Sequence, residues 1–496
     1  MVFSAVRFGP VTTCCRRFWT LLRGAGLKAP ELYTEILEMA RGKLVASQEI
    51  DSDYDTFSRA SRLAVIDVQL SLDYEPRREK TQMEEANLIE SHMRIAFSIP
   101  VHREYLRSGY PSEPLLAEAA ARQLWMWRKQ NPFVVVDMLT NIVQTGLLDR
   151  GELGELVGRQ LLLDAYHRAV EFEHSDFEKE PPNFSAGCHL ITFIKMLYTE
   201  EYAKQVLDSK PDNKPDNDKE EKAEPFKNVF KDARICFTHF GKMADDTGTT
   251  SAAAWAAFMR HMAIMCRNGQ HTVDCIIPVL LWDTELCEHV MTGLLIQYKR
   301  KKQRGTVAGY SIDQNAVNFF PKTDEECTQH GSKSKSTLNR PYVSLIMELG
   351  VQPKVANEAN TPTHFKPDSS SKKKSSRPQA PDPPTPSKVY IPTAGKSHRR
   401  SKAHARYNIF AYGCSPTVYR GIDVAHKASY ALLLSSRDFL EEHPRKDAQT
   451  LEAVRRMKPF WNGGDSCYHW IAHNETLHGS VSVAPSVEFG VGDEMY

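Results

Sequence analysis

What this sequence lacks narrows what it can do. No window approaches ~18 uninterrupted apolar residues, so no membrane-crossing helix is expected. There is no surplus of charge. Lys and Arg number 63 and Asp and Glu 62, a formal net charge of +1. No global field therefore draws the chain to nucleic acid or membrane, and any basic surface must be local. The ten cysteines contain no C-x-x-C pair and no zinc-like spacing with histidine. Cys236, Cys275 and Cys414 sit inside apolar runs, as reduced core thiols do, so an intracellular compartment is expected. The phosphate-loop pattern G-x-x-x-x-G-K-S/T occurs nowhere, so ATP hydrolysis is not assigned.

What is present is ordinary for a globular protein: 41% hydrophobic and 25% charged residues over 496 positions. That length suits roughly two to four domains. The first thirty residues, "MVFSAVRFGPVTTCCRRFWTLLRGAGLKAP", carry Arg7, Arg16, Arg17, Arg23 and Lys28 and no acid. The early arginines interrupt the apolar stretch and exclude a secretory signal. The composition is that of an organelle transit peptide, but the preferred reading is a piece of an upstream domain.

Periodicity gives the element order. "ELYTEILEMARGKLVAS" (31–47) places Leu32, Ile36, Met39 and Leu44 near helical spacing. "RLAVIDVQLSLDY" (62–74) and "SHMRIAFSIPV" (91–101) read as strands, with a helix-permissive stretch at 79–90 between them. From Glu113 to about Leu207 the pattern is helical. Further on, strands are expected at 234–243, 272–281, 292–300, 341–351 and 406–414, with an Ala-rich helix at 251–268. Two helices are expected after 414. Two segments, 208–225 and 352–404, have almost no apolar content or are rich in Pro, Ser and Lys, and are expected to be disordered. The order is mixed α/β.

The stretch "HTVDCIIPVLLWDTELCEHVMTGLLIQYKR" (271–300) carries the chemistry. Asp274 precedes one apolar run; Gln297 and Lys299 close the next. Residues two apart share one face of a strand, so Gln297 and Lys299 point together, and an antiparallel neighbour can bring Asp274 beside them. A metal-dependent phosphodiesterase needs hard oxygen ligands for Mg²⁺ and a cation near the attacked phosphorus. Asp274 and Gln297 can supply the first and Lys299 the second. The basic run "YKRKKQR" (298–304) continues past the site, and Arg300, Lys301, Lys302 and Arg304 are candidate DNA-phosphate contacts. The same run fits a nuclear localisation signal, as do Lys372–Lys374 and Arg399–Lys402, so a nuclear destination is compatible with the intracellular one.

The D-x22-Q-x-K arrangement resembles the PD-(D/E)xK nuclease superfamily, which has the restriction-endonuclease-like fold. The resemblance makes Asp274 the Asp of the second core strand and Lys299 the Lys of the third, with Gln297 where an acid usually stands. A Gln there removes one negative charge and implies weaker metal binding. The additional acid on the preceding helix has no counterpart, because residues 251–270 contain no Asp or Glu.

Taken in order, "RLAVIDVQLSLDYEP", "ESHMRIAFSIPVHREYLRSGYP", "RICFTHFGKM", the 271–300 stretch and "RYNIFAYGCSPTVYRG" are similar to the C-terminal part of fungal Crinkler and retrotransposon-hot-spot-like proteins. That resemblance implies a P-loop ATPase region upstream, missing here, and a nuclease-like domain. On it, 1–55 is a remnant of the upstream region and 56–207 a strand pair plus helical region. An insertion at 208–228 precedes a nuclease-like core at 229–351; 352–404 is a linker, and 405–496 completes the domain. The function expected is Mg²⁺-dependent hydrolysis of DNA phosphodiesters. The alternative, from another class, is a catalytically inactive DNA- or protein-binding relic of the same fold. His239, His261 and the pair His469 and His473 are read as ordinary histidines rather than ligands.

Overall fold

The computed structural model describes residues 29–74, 79–98, 107–145, 147–148, 153–174, 180–213, 223–243, 246–267, 272–281, 286, 288–299, 312–320, 340–350, 388–391 and 404–434, all within one compact unit, Met1–Leu434. The N-terminal thirty residues up to 28, the basic positions Arg300, Lys301, Lys302 and Arg304, the other two basic clusters, and everything after 434 lie outside the described residues.

A helical region comes first. It contains α1 (Ala29–Val45), α2 (Arg59–Leu70) and α3 (Glu79–Ser91), then a two-stranded antiparallel hairpin of β1 (Ile95–Ser98) and β2 (Arg107–Gly109). There follow α4 (Pro114–Gln130), α5 (Val134–Thr145) and α6 (Leu153–Glu173). Pro114 occupies the first turn of α4, where its missing N–H costs nothing.

The strand expected over 62–74 is instead α2. Its residues are buried on nearly every side, so the apolar pattern shows neither alternation nor a clear helical stripe. The ends decide the matter. The Ser58 side chain accepts from the Ser61 amide at the N-terminus, and Ser71 closes the other end in the left-handed region, φ 51°. The strand expected over 91–101 is real as β1 but belongs to the hairpin, not to the main sheet.

The hairpin is fastened to α2 by a buried ion pair. Asp67, 1% exposed, accepts from the Leu72 amide (2.8 Å) and the Tyr74 hydroxyl (2.7 Å) and pairs with Arg94. Arg94 in turn donates through Nε to the Ser108 hydroxyl (2.7 Å) and through Nη2 to the Ser108 carbonyl (2.9 Å) on β2. Each buried lone pair and N–H used here has a partner, the condition under which a buried charge pair is tolerated.

The sheet forms next, with β3 (Cys188–His189), α7 (Leu190–Leu197), α8 (Glu200–Leu207), α9 (Phe226–Val229), β4 (Arg234–Ile235) and β5 (His239–Lys242). The chain then makes α10 (Ser251–Phe258), β6 (Met262–Met265), β7 (Cys275–Leu280), β8 (Met291–Lys299), β9 (Tyr342–Glu348), β10 (Lys388–Tyr390), β11 (Arg406–Tyr412) and α11 (Lys427–Leu434). Strands β10, β11, β9, β8, β7, β4 and β3 lie side by side in that order. The far side of β7 forks, pairing β4 along its C-terminal half and β6 along its N-terminal half, with β5 parallel beyond β6. β7 and β8 are antiparallel, while β8, β9 and β11 run parallel. The class is α/β: a helical region followed by a mixed sheet.

Three expectations need correction here. The helix expected over 251–268 stops at Phe258; His261 adopts φ 51° and turns the chain into β6. The 352–404 linker contains a paired edge strand, β10, antiparallel to β11. The start of the 208–225 segment is ordered by docking. Asp212 accepts from Arg406 Nε (2.8 Å) and Nη2 (3.1 Å) and from Asn408 Nδ2 (3.1 Å). Residues 214–222 of that segment lie outside the described residues.

One large apolar core joins the helical region to one face of the sheet, taking in Leu161 and Val157 of α6 and Leu294, Ile296 and Tyr298 of β8. A second core lies on the other face, where Ala254 and Ala257 of α10 meet Leu295 of β8 and Ile276 of β7. Gly158 is the point of closest approach between α6 and β8: a methyl group on it would run into the Tyr298 ring. Gly158→Ala should therefore cost about 1–3 kcal/mol of stability, the usual penalty of overpacking. Urea unfolding checks this, and Gly158→Ala combined with Tyr298→Leu should lose less than the two single changes added together.

Candidate functional site

The site forms where the C-terminal end of β8 meets the start of β7. Strand alternation puts Gln297 and Lys299 on the same face of β8 as Leu295, opposite to Ile296 and Tyr298. Gln297 is 6% exposed and Lys299 half-buried. Asp274 lies one residue before β7. Its amide donates to the Ile296 carbonyl (2.9 Å), and its Oδ2 accepts from the Tyr298 amide (2.7 Å). Those two backbone groups flank Gln297, so Asp274 lies beside the end of β8 that carries Gln297 and Lys299.

The way Asp274 arrives is informative. Cys275 is the residue paired with Ile296, yet the preceding amide, that of Asp274, also reaches the Ile296 carbonyl. Two residues of one strand opposite one of the other is the arrangement of a β-bulge, which re-aims a side chain at the end of a ladder. The carboxylate is thereby held by the Tyr298 N–H.

The electrostatics fit a functional carboxylate. Burial raises the Asp274 carboxyl above its ordinary range, while the Tyr298 N–H and the nearby Lys299 ammonium work against that rise. A second carboxylate lies close by. Glu155, in the first turn of α6, is also raised, first by burial and then by the charge of Asp274; Arg159 and Lys242 pull it down and Asp73 pushes it up. Arg159, almost fully buried, reaches the Ser71 carbonyl (3.3 Å) and Met265 Sδ (2.7 Å) through Nη1.

Sequence reasoning missed Glu155. The acid was sought on residues 251–270, the helix before the strands, whereas α6 comes from far upstream. The one local hint is "GELGELVGRQ": a glycine inside an otherwise apolar helix often marks a close approach, here to Tyr298.

Among the described residues no three His, Cys, Asp or Glu side chains gather as a ready-made metal cage. The oxygen donors carried at this end are the Asp274 carboxylate and the Gln297 amide; Glu155 acts on Asp274 from α6, which packs on the opposite face of β8, that of Tyr298. Mg²⁺ commonly takes one or two protein carboxylates and completes its shell with water and substrate phosphate, so one carboxylate with an amide suits that ion better than a closed structural site.

His239 is a hydrogen-bonded core histidine. His239 is fully buried and joined to the Ser112 hydroxyl through Nε2 (2.7 Å), and burial pushes its pKa down to about 3. His469 and His473 lie outside the described residues. Among the described residues no helix is long and apolar enough to cross a membrane.

The raised Asp274 carboxyl has a testable consequence. A carboxyl whose folded pKa lies above its unfolded value loses stability as pH rises through the folded pKa. Asp274→Asn should therefore raise the thermal midpoint by a few degrees at pH 7. That gain should shrink towards zero below about pH 4, where the unfolded Asp is itself protonated. Thermal scans of both proteins across that range check it.

No curated protein and no solved structure matches the chain. A family model does, over residues 54–372, which takes in the helical region from α2 onward, β3 to β9 and all of Asp274, Gln297, Lys299 and Glu155. The match covers well over half of the sequence, and the chain belongs to that family, a domain of unknown function designated DUF8736.

Proposed function

We propose that this end of the sheet is the active site of a Mg²⁺-dependent nuclease of the PD-(D/E)xK kind, acting on DNA phosphodiesters. The observation that carries the reading is the hydrogen bond from the Tyr298 amide to Asp274 Oδ2 at 2.7 Å, which fixes the Asp274 carboxylate beside the end of β8 that carries Gln297 and Lys299. Asp274 and Gln297 would hold the ion, and Glu155 would act on it through its charge coupling to Asp274. Bound Mg²⁺ supplies a Lewis acid that makes water a better nucleophile and offsets charge building up at phosphorus.

The chain's own residues do the rest. Lys299, within electrostatic reach of Asp274, is placed to orient the attacking water and to stabilise the extra negative charge of the transition state. The Tyr298 N–H and the bulge keep Asp274 from rotating away. Glu155 adds a second negative charge within electrostatic reach of Asp274.

A second reading is favoured by one observation. Gln297 is nearly buried, and Asp274 already spends one oxygen on a backbone amide. A site so tied could bind DNA or protein without cutting. Supercoiled-plasmid nicking with Mg²⁺ separates the two. The nuclease reading expects Lys299→Ala to lower the rate by about a hundredfold or more, the usual loss on removing a transition-state charge partner, and Glu155→Gln to lower it less. Equal nicking by wild type and variants would mark a contaminant and leave the binding protein standing.

A further inference from the structure

A second ion pair lies beside the site and has no part in the chemistry proposed above. Lys242, the last residue of β5, pairs with Asp73 in the loop that follows α2. Both side chains remain partly open to solvent, 38% for the lysine and 40% for the aspartate. Across the sheet Lys242 stands opposite Met265 of β6, and Met265 opposite Cys275 of β7, the neighbour of Asp274. Two strand spacings, about 10 Å, therefore separate Lys242 from the start of β7. That is about three phosphates along one strand of duplex DNA at 3.4 Å axial rise.

The loop holding Asp73 is not loosely placed. The Ser71 hydroxyl donates to the Phe240 carbonyl on β5, and the Ser71 carbonyl accepts from Arg159 of α6 (3.3 Å). Leu72 and Tyr74 are both tied to Asp67. The loop thus delivers Asp73 to the lysine at the end of β5, and the charges of both act on Glu155 of the site.

We propose that Lys242 is a phosphate contact for the DNA strand entering this site, and that Asp73 is the counter-ion which the phosphate displaces. The proposal rests on the nuclease reading of the Asp274 end of the sheet. An exposed lysine–carboxylate pair is weak in water, so exchanging the carboxylate for a phosphate has little cost. The same pair keeps Lys242 extended towards the site in the absence of DNA.

The test is binding without cutting: fluorescence anisotropy of a labelled duplex of about 20 base pairs, in EDTA, over a range of salt. Lys242→Ala should weaken binding about five- to tenfold near 0.1 M salt and reduce the slope of log affinity against log salt by about 0.9, the signature of one lost phosphate contact. Lys242→Arg should restore the slope. Asp73→Asn should tighten binding a few-fold, since the competing carboxylate is gone. Unchanged affinity and slope in Lys242→Ala, or weaker binding in Asp73→Asn, overturns the proposal while wild type still binds. Failure of wild type itself to bind the duplex overturns the nuclease reading, and this inference with it.

Discussion

Tyr298 is the residue on which the rest of the site depends. Its ring is pressed against the bare backbone of Gly158, which seats α6 on β8. Its amide holds the Asp274 carboxylate. Its chain neighbours are Gln297 and Lys299. Helix packing and carboxylate orientation are thus two functions of one position. The ring contact has a further effect: it sets the first turn of α6, and with it Glu155, within electrostatic reach of Asp274. A helix seated even one residue further along would carry that carboxylate about 1.5 Å along its axis and turn it by about 100°.

The site is held against the preferences of its own charges. Asp274 and Glu155 are both raised by burial, and Asp274 raises Glu155 further. Such carboxylates disfavour the folded state at neutral pH, and surrounding structure must offset them. Here the offset comes from the two apolar cores on either side of β8 and from the cations Arg159, Lys242 and Lys299. The Asp67–Arg94 pair plays a different part. It is hydrogen-bonded on both partners, to Leu72 and Tyr74 through Asp67 and to Ser108 through Arg94, and serves to fasten the β1–β2 hairpin to α2. Burial raises the Asp67 carboxyl as it raises Asp274 and Glu155, so what sets the two places apart is the partner: Asp67 pairs with Arg94, whereas Asp274 and Glu155 repel one another.

Much of the sheet was legible in the sequence. β7, β8 and β9 are short runs rich in Val, Ile and Leu, β11 is a short run rich in aromatic residues, and each lies within or close to its expected span. Gln297 and Lys299 follow from the two-residue period alone. Other features were not legible, for physical reasons. The α2 segment is buried all round, so its apolar pattern is shared by a helix and a central strand, and only the Ser58 and Ser71 caps separate the two. The turn at His261 depends on a left-handed residue inside a helix-like composition. The bulge at Asp274 depends on pairing with β8. Glu155 reaches the site through tertiary packing, which no local window contains.

The central claim is that Glu155 and Asp274 form one electrostatic unit set up by the packing of α6 on β8. The direct measurement is the pKa of the Glu155 carboxyl, followed by carbon-13 NMR with labelled glutamate, in wild type and in Asp274→Asn. Removal of the Asp274 charge should lower the Glu155 pKa, because a like charge that disfavours ionisation has gone. An identical Glu155 titration in the two proteins would contradict the account.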